Sequence, residues 1–224
     1  MTPYYADDLV TLYHGDCREI AVWLDADVLV TDPPYGMAYV SRGGQRIAHD
    51  ATTSVRDAAL RMWGSRTALL FGTWKVPRPT ATRQVLIWDK SQGNGTGAMV
   101  WSPWGMSHEE IYVLGEWPAV RPGGRWREGG NPARESGVLR VLNYNTQASA
   151  RPDHPTPKPT ALMERLIEKC PPGAIADPFA GSGSTLVAAR NLGRRAIGVE
   201  IEERYCEKAA RRLAQQPLPL GGAA

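Results

Sequence analysis

Short apolar runs alternate along the chain with amphipathic stretches, and that alternation predicts the elements. Val28-Leu29-Val30-Thr31 is apolar and β-branched, and it stops at Asp32-Pro33-Pro34 because proline cannot donate to a strand ladder. Thr67 to Phe71, closed by Gly72, reads as a buried strand, and Val85 to Trp88 and Ile111 to Leu114 as two more. Ser54 to Trp63 sets Val55, Ala58, Ala59 and Met62 at helical spacing. In the last third, Pro159 opens a helix with Met163, Leu166, Ile167 and Cys170 on one face, stopped by Pro171-Pro172-Gly173. Ala174 to Asp177 is a strand, a glycine turn follows, and a helix over about 184–192 has Gly193 at its C-cap. Ala196 to Glu200 is the next strand, and the last helix, Glu202 to about Gln215, has an apolar face of Tyr205, Ala209 and Leu213. Strand–helix alternation of this kind predicts the α/β class, a parallel sheet with helices on both faces. The Gly/Pro-rich stretches at 91–107 and 115–136 read as loops or a small insertion, and the PLPLGGAA tail as frayed.

Composition narrows the class. With 224 residues, 42% hydrophobic and 22% charged, the chain reads as one domain, or one domain with a modest insertion, and a disordered polymer is excluded. No apolar run is long enough for a membrane span, and the acidic N-terminus lacks the apolar segment of a signal peptide. Cys17, Cys170 and Cys206 are isolated, which argues against a disulfide scaffold, a zinc site or an iron–sulfur cluster. They read as core residues of a protein from a reducing cytoplasm. The net charge of +3 hides an asymmetry: −6 over residues 1–39, +6 over 40–90 and +3 over 116–158. Clustered basic tracts are what a polyanion rewards. Eight Trp against two Phe add a weak hint of base stacking.

Two turns carry candidate chemistry. In Asp177-Pro178-Phe179-Ala180-Gly181-Ser182-Gly183-Ser184-Thr185, the glycines let a ligand approach the backbone closely. Glu200, ending the next strand, is placed to accept hydrogen bonds from ribose hydroxyls, so an adenosyl-type cofactor is expected. Leu186 stands where a dinucleotide fingerprint wants its third glycine, which disfavours a nicotinamide enzyme. Asp32-Pro33-Pro34-Tyr35 offers a carboxylate and a fixed carbonyl as convergent acceptors beside a flat ring. Such a site suits a planar group with an exocyclic amine. Accepting both hydrogens favours a pyramidal nitrogen with its lone pair aimed at an electrophile.

In this order, these motifs resemble the amino-methylating DNA methyltransferases that use S-adenosylmethionine, most closely the β-class, in which the catalytic tetrapeptide precedes the cofactor turn. The resemblance covers most of the chain: Gly15-Asp16, Asp32 to Tyr35, His108-Glu109, His154-Pro155-Thr156-Pro157-Lys158-Pro159, Asp177 to Thr185, and Glu200. It implies a Rossmann-like methyltransferase sheet with circularly permuted motif order: a catalytic half over 1–115, a small loop-rich target-recognition insertion over 116–150, and a cofactor half over 151–224. It implies catalysis by Asp32, Pro33, Pro34 and Tyr35. The implied cofactor set is Asp177, Phe179, Gly181, Ser182 and Gly183 around the methionine end, Thr156 and Lys158 beside it, Glu200 and Ile201 at the ribose, and Asp16 and Cys17 near the adenine.

The expected activity is methylation of adenine N6 in a flipped-out base of double-stranded DNA, with cytosine N4 methylation or a non-catalytic nucleic-acid-binding subunit as alternatives. Carbon-5 cytosine chemistry is disfavoured because no cysteine follows a proline. Arg42, Arg46, Arg121, Arg125 and Arg127 are the expected DNA contacts, mostly to phosphates. No metal is expected, and so small a chain reads a short site or gains footprint as a homodimer.

Overall fold

The computed structural model describes residues 1–40, 44, 46–90, 107–119, 135–141 and 157–215. Nine strands form its sheet: β1 (Tyr5–Ala6), β2 (Val10–His14), β3 (Val28–Thr31), β4 (Ala68–Gly72), β5 (Thr82–Asp89), β6 (His108–Leu114), β7 (Val138–Arg140), β8 (Ile175–Asp177) and β9 (Ala196–Glu200). Their order across the sheet is β1-β2-β9-β8-β3-β4-β6-β5-β7. Among the described residues, four α-helices accompany them, α1 (Ser54–Trp63), α2 (Thr160–Glu168), α3 (Ser184–Asn191) and α4 (Glu203–Ala214), with a 3-10 turn at Ala21–Asp25.

The strands bury both faces in alternation. Val28, Val30, Leu69 and Phe71 face a core completed by α2, α3 and α4, which contribute Leu162, Ile167, Leu186 and Leu213. Leu29, Ala68 and Leu70 face the opposite way, onto Ala59 and Trp63 of α1 and Trp23 of the 3-10 turn. The two tryptophans stack with centroids 5.8 Å apart. The result is the Rossmann-like arrangement of a central sheet between helical layers.

Three expectations need correction. The sheet is mixed: β2, β9, β8, β3 and β4 run parallel, but β6 lies antiparallel between β4 and β5, and β1 antiparallel to β2. Strand direction depends on how the connections run, which apolar periodicity does not encode. The apolar pattern overlooks three strands: β1 and β7 are two and three residues long, and β2 mixes buried Val10 and Leu12 with half-exposed neighbours. The buried face of α1 is Val55, Ala59 and Trp63 with Arg56, while Ala58 and Met62 lie at its margin. Arg56 is buried because its guanidinium bonds Asp57 and the Pro77 carbonyl.

The arrangement that matters most is local to the middle of the sheet. Strand β3 pairs with β8, Val28 opposite Ile175 and Leu29 opposite Ala176, so the two chemistry-bearing turns leave the sheet side by side. The Thr31 hydroxyl donates to Asp177 Oδ1 at 2.6 Å, joining residues 146 positions apart.

Candidate active site

Each turn is held by identifiable contacts. Beyond β3, the chain from Asp32 to Tyr35 continues into a loop organised by Asp50. Its buried carboxylate accepts the backbone N–H of Gly36 at 2.7 Å and of Tyr39 at 2.8 Å. Gly36 adopts φ +80°, and a Cβ there would stand 2.7 Å from the Thr52 carbonyl carbon, so glycine is required. Beyond β8, Gly183 also has φ +80°, and its missing Cβ admits Ala209 of α4. Arg212 of α4 donates to the Ser182 carbonyl at 2.6 Å and to Thr160 Oγ1 at 3.1 Å, clamping the turn to α2. Leu186, in place of a third glycine, packs on Gly198 of β9, where a Cβ would meet it at 2.7 Å.

Glu200 is buried at the end of β9. Its Oε2 accepts the Gly181 N–H at 2.7 Å and its Oε1 the Glu202 N–H at 2.8 Å. Burial pushes its carboxyl up, against those two N–H donors. Each oxygen keeps a second acceptor site, as vicinal hydroxyls require. Asp177 is different. Burial pushes its carboxyl up to about 7, although Thr185, Thr31 and the Phe179 N–H all donate to it.

A cleft of about 260 Å³ joins the two turns, lined by Asp32 to Tyr35, Lys158, Phe179, Gly181, Glu200 and Ile201 among others. Two recesses adjoin it. One is lined by Asp16, Cys17, Phe179, Glu200 and Ile201, beyond the ends of β2 and β9; the other holds Asp177, Ser182, Thr185 and Lys158. The donor set therefore suits an adenosyl group with a charged amino-acid end: a carboxylate for ribose, apolar Phe179 and Ile201, and a glycine turn for close approach. Asp16 carries its own counter-ion, a fork of hydrogen bonds from Arg18 that holds its carboxyl below the usual range.

At the Asp32 turn, four charges interlock. Lys158 Nζ donates to Asp32 Oδ2 at 2.5 Å and lies 3.2 Å from Glu109 Oε2. Lys90 pairs with the other oxygen of Glu109. The Tyr35 hydroxyl donates to Asp32 Oδ1 at 2.8 Å and to Glu109 Oε2 at 3.3 Å. Burial pushes the Asp32 carboxyl up while Lys158 pulls it back. Burial acts to lower Lys158, but Asp32 and Glu109 hold its ammonium above the usual lysine range. Burial acts to raise Glu109, and Lys158 and Lys90 outweigh it.

The structure thus brings together Asp32, Pro33, Pro34, Tyr35, Asp16, Cys17, Lys158, Asp177, Phe179, Gly181, Ser182, Glu200 and Ile201. Lys158 lines the recess with Asp177 and Ser182 as well as the main cleft, and its ammonium pairs with Asp32 and Glu109. Arg46 is exposed, bridged to Val40 outside the cleft lining. Thr156, Arg42, Arg121, Arg125 and Arg127 lie outside the described residues. Sequence reasoning missed Lys90, Asp50 and the charge of Glu109. The β5–β6 register sets Trp88 against Glu109 with Lys90 two residues further along, a pairing between segments that no single stretch of sequence displays. All three cysteines are buried, as expected of core residues, and burial pushes their thiols up to about 12.

Residues 74–211 match a family model described as DNA methylase. The chain is 31% identical to a putative methylase, YubD, of Escherichia coli (strain K12), covering 93% of each chain. It is 29% identical to the type II methyltransferase M.ScaI of Streptomyces caespitosus, covering 97% of this chain and 86% of that one. Among solved structures, PvuII DNA methyltransferase (cytosine-N4-specific) shares the fold with a TM-score of 0.65 at 14% identity, over 96% of this chain and 90% of that one.

Proposed function

The chain belongs to the N6/N4 DNA methylase family, whose methyl donor is S-adenosylmethionine, and from that premise we propose that it methylates adenine N6 in a base turned out of duplex DNA. The observation that carries the reading is the shared cleft, lined by Asp32 and Pro33 of one turn and by Gly181 and Glu200 of the cofactor side. When bound, S-adenosylmethionine supplies an electrophilic methyl carbon on a sulfonium.

The chain's own residues do the rest. Glu200 holds the ribose hydroxyls, and the Gly181–Gly183 turn lets the methionine end lie close to the backbone. Asp32 and the Pro33 carbonyl accept the two amine hydrogens of the target base, with its ring stacked on Tyr35. That grip turns the nitrogen lone pair toward the methyl, and Asp32 is the nearest acceptor for the proton shed after transfer. Stacking on Tyr35 requires an extruded base, so duplex substrates flip their target. The same acceptor pair fits cytosine N4, because both bases set an exocyclic amine beside a ring nitrogen. The named specificity of the PvuII enzyme keeps that as the second reading. The Asp at position 32, in place of the Ser more frequent in N4 enzymes, favours adenine.

Purified protein incubated with methyl-labelled cofactor and mixed-sequence DNA, then digested to nucleosides, tests the base directly. Label in N6-methyl-2′-deoxyadenosine is expected; label in N4-methyl-2′-deoxycytidine would reverse the assignment. Asp32→Ala is expected to cut transfer by about a thousandfold or more while leaving cofactor affinity within about threefold. Near-full turnover in that variant would remove the tetrapeptide from catalysis.

A further inference from the structure

The recess beside the glycine turn is short of positive charge. Two acids line it, Asp32 and Asp177, with one cation, Lys158, whose ammonium pairs with Asp32 and Glu109. The methionine end of the cofactor carries a carboxylate as well as an ammonium, so the carboxylate needs other donors. Two hydroxyls are placed to supply them. Ser182 and Ser184 are buried, line the recess, and find no acceptor for their own protons among the described residues. Buried donors left in that condition are costly, which calls for an acceptor from outside the chain. Both hydroxyls instead accept from one guanidinium. Arg212 Nη1 lies 3.4 Å from Ser182 Oγ and 3.3 Å from Ser184 Oγ, and donates to the Ser182 carbonyl at 2.6 Å. A hydroxyl that accepts from a cation turns its proton away from that cation.

Arg212 is itself a cation without a counter-ion. It sits on the last turn of α4, and its Nη2 donates to Thr160 Oγ1 at 3.1 Å. Every hydrogen-bond partner it has among the described residues is neutral. Burial pulls its guanidinium below the usual arginine range, and no neighbouring charge acts against that. A clamp between α4 and the turn requires only hydrogen-bond donors. A full charge held there away from water is unfavourable until an anion arrives to balance it.

Resting on the placement of the methionine end at the Gly181–Gly183 turn, we infer that Arg212 sets the recess for the cofactor's α-carboxylate, acting through the Ser182 and Ser184 hydroxyls. It is a positioning residue: the serines touch the carboxylate and the guanidinium stands behind them. Each hydroxyl accepts from Arg212 and donates to the carboxylate, so hydrogen bonds in series strengthen one another and no proton changes owner. Thr160 fixes the other end of the guanidinium fork against α2. The serines and the arginine are 28 and 30 positions apart, so no local motif announces the set.

The test reads binding alone, without DNA. Calorimetry on the full chain measures affinity for three probes: S-adenosylmethionine, its decarboxylated analogue, which keeps the sulfonium and the ammonium, and 5′-methylthioadenosine, which lacks the amino-acid end. The wild type is expected to prefer S-adenosylmethionine over the decarboxylated analogue by about tenfold or more. Arg212→Met is expected to cut that preference to about threefold or less, while 5′-methylthioadenosine still binds within about threefold of wild type. Ser184→Ala removes part of the preference, and Arg212→Lys, which keeps the charge, retains most of it. Loss of a mere clamp would displace the turn and weaken S-adenosylmethionine and its decarboxylated analogue by the same factor. That result, or an undiminished preference in Arg212→Met, overturns the role. Should Arg212→Met fail to fold, as its melting curve would show, the double variant Ser182→Ala/Ser184→Ala decides, and an intact preference there overturns it. A wild type with no preference would move the methionine end elsewhere and overturn placement and role together. Methylation of cytosine in place of adenine would change the choice of base and leave this assignment standing.

Discussion

Two buried carboxylates on neighbouring strands have been put to opposite uses. Asp177 is enclosed by hydroxyl and N–H donors, and burial raises its carboxyl to about 7. A carboxyl raised on folding binds its proton more tightly in the folded chain. Its contribution is therefore present at low pH and is lost as pH climbs from about 4 to about 7. Asp177→Asn is expected to raise the melting temperature at pH 8, by an equivalent of about 1–3 kcal/mol, with the difference shrinking toward pH 5. A pH-independent difference in thermal scans would mean that Asp177 folds as the carboxylate. Glu200 instead keeps two N–H partners and spare acceptor capacity facing the cleft. Glu200→Ala is expected to weaken cofactor binding about tenfold or more by calorimetry, since it strips the Gly181 N–H of its acceptor as well as the ribose of its carboxylate. Unchanged affinity would move the ribose elsewhere. Asp177 and Glu200 were both legible as site residues from their place after strands, but the difference between them was not. It depends on neighbours such as Thr31, 146 positions away.

The elements divide the labour between a rigid sheet and helices that tension its loops. Helix α4 approaches the glycine turn closely enough that Gly183 at φ +80° faces Ala209, and Arg212 reaches over it to Ser182 and Thr160. Gly183→Ala therefore adds a Cβ 2.9 Å from the Ala209 methyl in a conformation that side chains avoid. A stability loss of about 1–3 kcal/mol is expected, with weaker cofactor binding, read as the denaturation midpoint and the calorimetric affinity of the same preparation. Wild-type values for both would mean the turn is not held by α4. At this scale the bounds of β3, α1 and β9 were predicted to the residue, because each is a short apolar or amphipathic run next to a local stop, with Pro33 just beyond β3, Gly64 after α1 and Gly193 shortly before β9. It missed β7, where only Leu139 of three residues is buried and the strand exists because β5 offers an open edge.

For the whole molecule, the acidic first 39 residues and the basic 40–90 tract suggest one face for DNA. Exposed Lys75 on the rim of the cleft belongs to that tract. DNA affinity is expected to fall linearly in log–log plots against salt, and Lys75→Ala to reduce the slope by about one ion, measured by fluorescence anisotropy. A slope identical to wild type would take Lys75 off the phosphate backbone. We further propose that residues 116–150 carry the target recognition; within that range, β7 pairs with β5. By itself the sequence determined the fold class, the two turns and the family, because strand periodicity, prolines, glycines and short motifs are local properties of the chain. Only the tertiary structure decided that β6 runs against its neighbours, that Asp32 meets Lys158 across 126 positions, and that Glu109 with Lys90 stands behind them. Those are pairings between distant segments. Their energies depend on which charges burial forces together, and no pattern within a single segment contains that information.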